Sequence, residues 1–223
     1  IMNSRILLSI NSFVKNRLIE LSGTLLIVAG IFLFISIASY SPSDPNFIYT
    51  PENKEIKNFG GFYGSIISDF LLQSIGLISF FIVLNLLYWG LKLIIEKKIS
   101  NFISRIFFIV VYIIFGTTFV NIAFNDSFWL IDNGNGGFVG TLLKENFYTI
   151  TNLIENRYVV LILLFLSFVF FILSLNIKIK EITKILFIPY IIVNFLRKNK
   201  KISVNINNSN LDIDIKNSQK NYV

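Results

Sequence analysis

Apolar positions in this chain come in long unbroken blocks, not at the two-residue period of a strand or the mixed period of a surface helix. Residues 21–40 contain no Asp, Glu, Lys or Arg. Twenty residues at 1.5 Å each reach about 30 Å, the thickness of a hydrocarbon core. Three more charge-free blocks follow at 70–91, 106–125 and 158–177. Charge bounds each of them: Lys92, Lys97 and Lys98 after the second, Arg105 and Asp126 around the third, Arg157 and Lys178 around the fourth. Backbone groups in hydrocarbon must be hydrogen-bonded within their own segment, so these blocks predict four transmembrane α-helices. The expected fold is all-α, an integral membrane four-helix domain over 21–177.

The polar intervals refine this picture. The first block ends at Tyr40 and is followed by Ser41-Pro42-Ser43-Asp44-Pro45. The two prolines lack amide hydrogens and restrict the residues before them, which stops the helix, and Asp44 marks water. Tyr88 and Trp89 near the end of the second block are residue types of the membrane-interface belt. Gly60-Gly61-Phe62-Tyr63-Gly64 precedes the second block and Gly136-Gly137-Phe138-Val139-Gly140 precedes the fourth. An odd span, a loop, a G-G-x-x-G element and an even span therefore occur twice, as an internal repeat of helix-hairpin units. Paired glycines permit positive φ or close backbone approach. The third, four residues after the first, shares its face once a helix has begun. In the second copy Val139, Leu143, Phe147, Ile150 and Ile154 recur at three and four, predicting a short amphipathic helix on the loop side. The first copy predicts a helix running almost directly into its span.

Residues 1–20 form a basic lead-in with Arg5, Lys15 and Arg17, either an amphipathic segment at an anionic membrane face or a disordered tail. The first block is longer than the h-region of a signal peptide and has no small-residue cleavage pattern, so a cleaved leader is not expected. Ile185–Leu196 is apolar but only twelve residues long and contains Pro189, which suits the interface better than a span. The remainder of 178–223 is rich in Lys, Asn and Ser and is expected to be a linker or tail.

Composition adds exclusions. Hydrophobic residues make up 54% of the chain and charged residues 15%, well under the usual quarter of a soluble domain. There is no Cys and no His, which removes thiolate and imidazole metal sites, Cys or His nucleophiles and disulfides. No cofactor, metal or catalytic residue is expected. The spans contain no ionisable group apart from Tyr, hence no proton relay; Gln73, Asn85 and Asn121 are candidates for interhelical hydrogen bonds. Of 20 basic residues, 16 fall before the first span, between the second and third, or after the fourth. This bias places both termini in the cytoplasm and the loops 41–69 and 126–157 outside, and divides the net charge of +7 into about +11 inside and −4 outside.

In order and spacing, Tyr40-Ser41-Pro42-Ser43-Asp44-Pro45-Asn46, then Asn58-Phe59-Gly60-Gly61-Phe62-Tyr63-Gly64, then Tyr88-Trp89-Gly90-Leu91 resemble the N-terminal four-helix membrane domain of the FtsK/SpoIIIE DNA translocases. The match runs over roughly residues 15 to 180, and Gly136, Gly137 and Gly140 agree with it. The resemblance implies a bacterial inner-membrane protein at the division septum, an anchor that contacts other division membrane proteins, or other copies of itself. It also implies that DNA is reached through a RecA-like cytoplasmic ATPase joined by a linker. Residues 1–223 contain no G-x-x-x-x-G-K-[ST], so this stretch hydrolyses no ATP by that mechanism. The alternative is a small transporter or channel, which needs a polar path through the spans; a membrane enzyme is a weaker third. The motif residues Tyr40, Ser41, Pro42, Asp44, Pro45, Gly60, Gly61, Gly64, Trp89, Gly136, Gly137 and Gly140 are accordingly expected to set geometry and not to carry chemistry.

Overall fold

The computed structural model describes residues 2–49, 55–98, 101–126, 130, 133–150 and 156–177. Two compact units divide the chain, Ile1–Asn176 and Ile177–Val223. Of the second only Ile177 is described, so the expected interfacial segment and tail lie outside the described residues, as does Ile154. Among the described residues the first unit holds six α-helices, α1 (Met2–Ala38), α2 (Gly61–Ile75), α3 (Ser79–Glu96), α4 (Phe102–Ala123), α5 (Gly137–Ile150) and α6 (Arg157–Leu175), and one 3₁₀ turn, Gly76–Ile78. No strand occurs among the described residues, and four helical stretches are long and apolar enough to cross a membrane.

The contacts repeat as the sequence does. α1 packs along α3 and α4 along α6, while α2 sits on α1, α5 sits on α4, and α2 meets α5. Each half is thus an antiparallel pair of long helices with a short helix at its loop end.

Helix α1 joins the lead-in and the first span without a break, 37 residues or about 56 Å. Its charged part is placed by Glu20, whose carboxylate accepts from Arg17 at 2.5 Å and from Lys97 at 2.6 Å. Lys97 is the left-handed C-cap of α3, so Glu20 and the end of α3 lie at one depth. From Leu21 to Ala38, α1 then offers about 27 Å of uncharged helix, alongside α3, which is uncharged from Ser79 to Leu91 and carries Lys92 and Glu96 in its last turns. Gly23 and Gly90 cross backbone to backbone: a β-carbon added at Gly90 would lie 2.6 Å from the Gly23 carbonyl oxygen. In a bilayer, where burying apolar surface between helices gains little, such close approach is what holds spans together. At the other end Ile37, Leu72, Val83 and Leu130 form a dry cluster with Leu33, Tyr40 and Phe80 around it.

The apolar run 70–91 is uninterrupted in sequence but divided in space. Gly76 takes φ 59° and ψ −143°, a conformation reserved for glycine, and the chain turns between α2 and α3. Phe70–Ile75 therefore belongs to α2, and α3 begins only at Ser79.

The second pair is fastened by aromatic and small residues. Phe170 stacks on Phe115 at 5.9 Å and meets Phe108, and Gly116 faces Ser167 of α6 and Ile78. Between the halves a polar cluster is fully buried. Asn85 Nδ2 donates to the Tyr112 hydroxyl at 3.0 Å, Ser174 Oγ donates to Asn85 Oδ1 at 2.8 Å, and Ser167 Oγ donates to the Tyr112 carbonyl. Phe81 packs on Phe171 with ring centres 4.5 Å apart. Wide apolar faces remain exposed on α1 and α6, including Leu25, Val28, Leu161 and Phe165, where a bilayer would cover them.

Candidate functional site

The motif residues gather at the loop end of the bundle, where the two halves meet. Asp44 is the centre of the first half. It was expected to mark water, yet it is 4% exposed, because its two carboxylate oxygens accept from the backbone N–H groups of Lys57, at 3.0 Å, and Asn58, at 2.8 Å. A carboxylate so satisfied can be buried. Pro45 supplies its carbonyl to Ser65 Oγ at 2.8 Å, Ser41 and Ser43 pair through their hydroxyls, and Pro42 lies in the turn between them. These bonds close the loop 39–49 onto the start of α2.

Asn58 continues the clasp. Its amide donates to the Ser36 carbonyl at 2.8 Å and to Ser68 Oγ, while its Oδ1 accepts from Gly60 N. Gly60 and Gly64 lie against Ser36, with a β-carbon at Gly64 falling 2.8 Å from Ser36 Oγ. Gly61, at φ 63°, starts the helix. The second copy is built in the same way on α4. Gly136 lies against Asn121 and Gly140 against the Thr117 carbonyl, while Gly137, at φ 67°, starts α5. In both copies the first and third glycines form one face, seated on the odd span.

The halves are then joined at Gly76. Leu77 N donates to the Asn135 carbonyl at 2.9 Å, and Gly137 lies against the backbone of Ser74, Ile75 and Gly76. A chain of polar side chains runs beside this junction. The Tyr40 hydroxyl donates to Asp69 Oδ1 at 3.0 Å, Gln73 Nε2 donates to Tyr40 at 3.3 Å, and Asn133 Nδ2 donates to Gln73 Oε1 at 2.9 Å. Asn121 bonds Thr141 of α5 and Asn125. Asn85 and Asn121 make the interhelical bonds their types suggested, to Tyr112 of α4 and Thr141 of α5, whereas Gln73 bonds Tyr40 and Asn133, which lie in loops.

Trp89 departs from the expected belt position. It is 8% exposed and turned into the bundle, its indole N–H donating to the Ser174 carbonyl at 3.0 Å and its ring 5.8 Å from the Arg105 guanidinium. Lys92 beside it donates to the Asn176 carbonyl. Carbonyls at the end of α6 thus draw the polar edge of Trp89 inward.

Two recesses open at the loop end. One of about 290 Å³ is lined by Asn46, Phe47, Ile48, Asp69, Gln73 and Asn133, among others. The second, of about 380 Å³, is lined by Asn121, Asn125, Thr141, Lys144, Glu145 and Tyr148. At the rim of the first, Asn46 Oδ1 accepts from the N–H groups of Ile48 and Tyr49, and Asn46 N donates to the Tyr49 carbonyl. This tight turn presents Ile48 98% exposed, and Phe47 packs edge-on against Phe70. Among the described residues no cluster of three acidic side chains is placed to hold a metal. Asp44 is committed to backbone amides and Asp69 to Tyr40, so the site is suited to binding and not to proton transfer.

Sequence reasoning missed Gly76, Ser36, Tyr112 and Ser174. Asn58 carried a signal, since Asn two residues before Gly is turn chemistry; Gly76 lay hidden among apolar neighbours.

Residues 15–185 match the family described as the 4TM region of DNA translocase FtsK/SpoIIIE. Similar proteins include the DNA translocase FtsK of Rickettsia typhi, 30% identical over 81% of this chain and 23% of the relative. That of Rickettsia prowazekii is 30% identical over 78% and 22%, and that of Azospirillum brasilense 32% identical over 42% and 15%. The chain thus spans less than a quarter of the length of these relatives, in the membrane region and not the motor. No solved structure matches. With four spans, two glycine clasps and this correspondence over most of its length, the chain is a multi-pass membrane protein and belongs to the family of FtsK/SpoIIIE 4TM regions.

Proposed function

We propose that this chain is the inner-membrane anchor and protein-interaction domain of a DNA translocase acting at the division septum in cell division and chromosome segregation. Both termini lie in the cytoplasm and the loop end faces outward, as the distribution of basic residues favours. DNA is reached only through a cytoplasmic motor of the kind its relatives' name implies. The observation that carries the interaction role is the turn 46–49. A nearly fully exposed isoleucine, in a turn closed by Asn46 beside a recess lined with a carboxylate and three amides, combines an apolar anchor with polar rim groups, as protein interfaces do. The partners are other division membrane proteins, or further copies of this chain. A channel is disfavoured because Asn85 and Asn121 are 1% and 2% exposed and committed to side-chain bonds.

Ile48→Glu in the protein as the cell makes it tests this. The expected result is unchanged membrane insertion and amount, with septal enrichment of a fluorescent fusion lost. Retained enrichment, or loss of insertion itself, would overturn the reading.

A further inference from the structure

The repeated element is G-G-F-x-G, and its phenylalanine has no role in the packing described above. On a helix, a residue two positions after the first glycine and two before the third points about opposite to both. Since Gly60 and Gly64 face Ser36, Phe62 points away from the bundle; since Gly136 and Gly140 face Asn121 and Thr117, so does Phe138. They are 44% and 56% exposed. We propose that Phe62 and Phe138, a repeat-related pair, and beside them Phe59 are interfacial anchors whose rings lie in the lipid at the headgroup boundary of the leaflet on the loop side. The proposal rests on the four-span membrane reading, though not on which side of the membrane the loops face.

Continuity with the lipid-facing surface supports lipid over a protein here. Phe59, 85% exposed, is pinned through its N–H to Ser39 Oγ at 2.9 Å, and that hydroxyl donates to the Ile35 carbonyl. Ile35 belongs to the exposed apolar face of α1, so Phe59 sits one step beyond the end of that face. Phe62 meets Tyr63 edge-on at 5.8 Å, and Tyr63, 75% exposed, adds a ring with a polar tip, the type enriched at membrane interfaces. In the second half Leu142, one turn after Phe138, is exposed on the same side. The first span gives a reason for the device: its uncharged helical part, Leu21–Ala38, is about 27 Å long, slightly short of a core of about 30 Å. Apolar rings projecting from α2 and α5 extend the apolar girdle at that end. The turn 46–49 differs in facing a polar recess, which is why it is assigned to protein contact.

The absence of cysteine makes the test direct. Phe62→Cys and Phe138→Cys, each carrying a nitroxide, are reconstituted in phosphatidylethanolamine and phosphatidylglycerol vesicles, with Leu25→Cys and Lys57→Cys as lipid and water references. Collision with oxygen and with a water-soluble nickel chelate gives immersion depth. The expected result is a depth parameter of the sign found at Leu25 for both labels and of opposite sign at Lys57. Labels open to the nickel chelate would overturn the proposal by placing the rings in water. Labels shielded from both reagents would overturn it by placing them against protein.

Discussion

Gly76→Ala is expected to be among the most damaging single substitutions in the described part of the chain. A β-carbon there would overlap the Asn135 carbonyl and approach the carbonyl carbons of Asn135 and Gly136 at 2.7–2.8 Å, in backbone that a flexible side chain cannot relieve. The left-handed φ adds about 1–2 kcal/mol and overpacking about 1–3 kcal/mol, together roughly 2–5 kcal/mol. Gly61→Ala is the control. Its φ of 63° is similar, but a β-carbon there meets nothing within 4 Å, so only the backbone cost of about 1–2 kcal/mol applies. Unfolding by SDS in mixed micelles should show Gly76→Ala losing at least twice the stability lost by Gly61→Ala. Equal losses would mean that the junction of Gly76 with Asn135 does not hold the two halves together.

Gly90→Val should be comparably severe by a different route. Added atoms at Gly90 would strike the Gly23 carbonyl oxygen, the Ile27 side chain and the Ile27 amide nitrogen, at 2.6–3.0 Å, forcing α1 away from α3. Separation of the two backbones removes the dispersion contacts of the entire crossing, a loss on the order of 2–3 kcal/mol. Gly30→Ala, whose β-carbon meets chiefly the far end of the Leu87 side chain, should cost well under half of that, because a rotamer can give way. A pair of spin labels on α1 and α3 would report the separation directly; an unchanged distance in Gly90→Val would contradict the packing account.

Much of this architecture was legible in the residues, and the reasons are physical. Four spans follow from local composition, since hydrocarbon admits only runs without charge. The glycine repeats were legible as geometry because spacing of one and four has few uses on a helix, and the structure seats both copies on the preceding span. Less legible was anything set by residues distant in sequence. Gly76 sits in an apolar run that looks like any span, and its role is dictated by the Asn135 carbonyl in the other half. Asp44 reads as a mark of water, but its burial depends on two amide groups at the far end of the loop. Trp89 has the composition of a belt residue, yet the free carbonyl of Ser174 turns it inward. The lead-in merged with the first span in α1, since no proline or glycine pair separates them. In each case the type of residue limited its role and a tertiary partner chose among the remaining options.

For the turn 46–49 to make the proposed protein contacts, the loop end of the bundle must face away from the cytoplasm. The chain is cysteine-free, so single cysteines at Lys57, between the first two spans, and Lys98, between the second and third, can be probed with a membrane-impermeant maleimide. In intact spheroplasts, cysteine at Lys57 should react at once and cysteine at Lys98 only after permeabilisation. The reverse pattern, or reaction of both from outside, would contradict the orientation and with it the proposed site of protein contact.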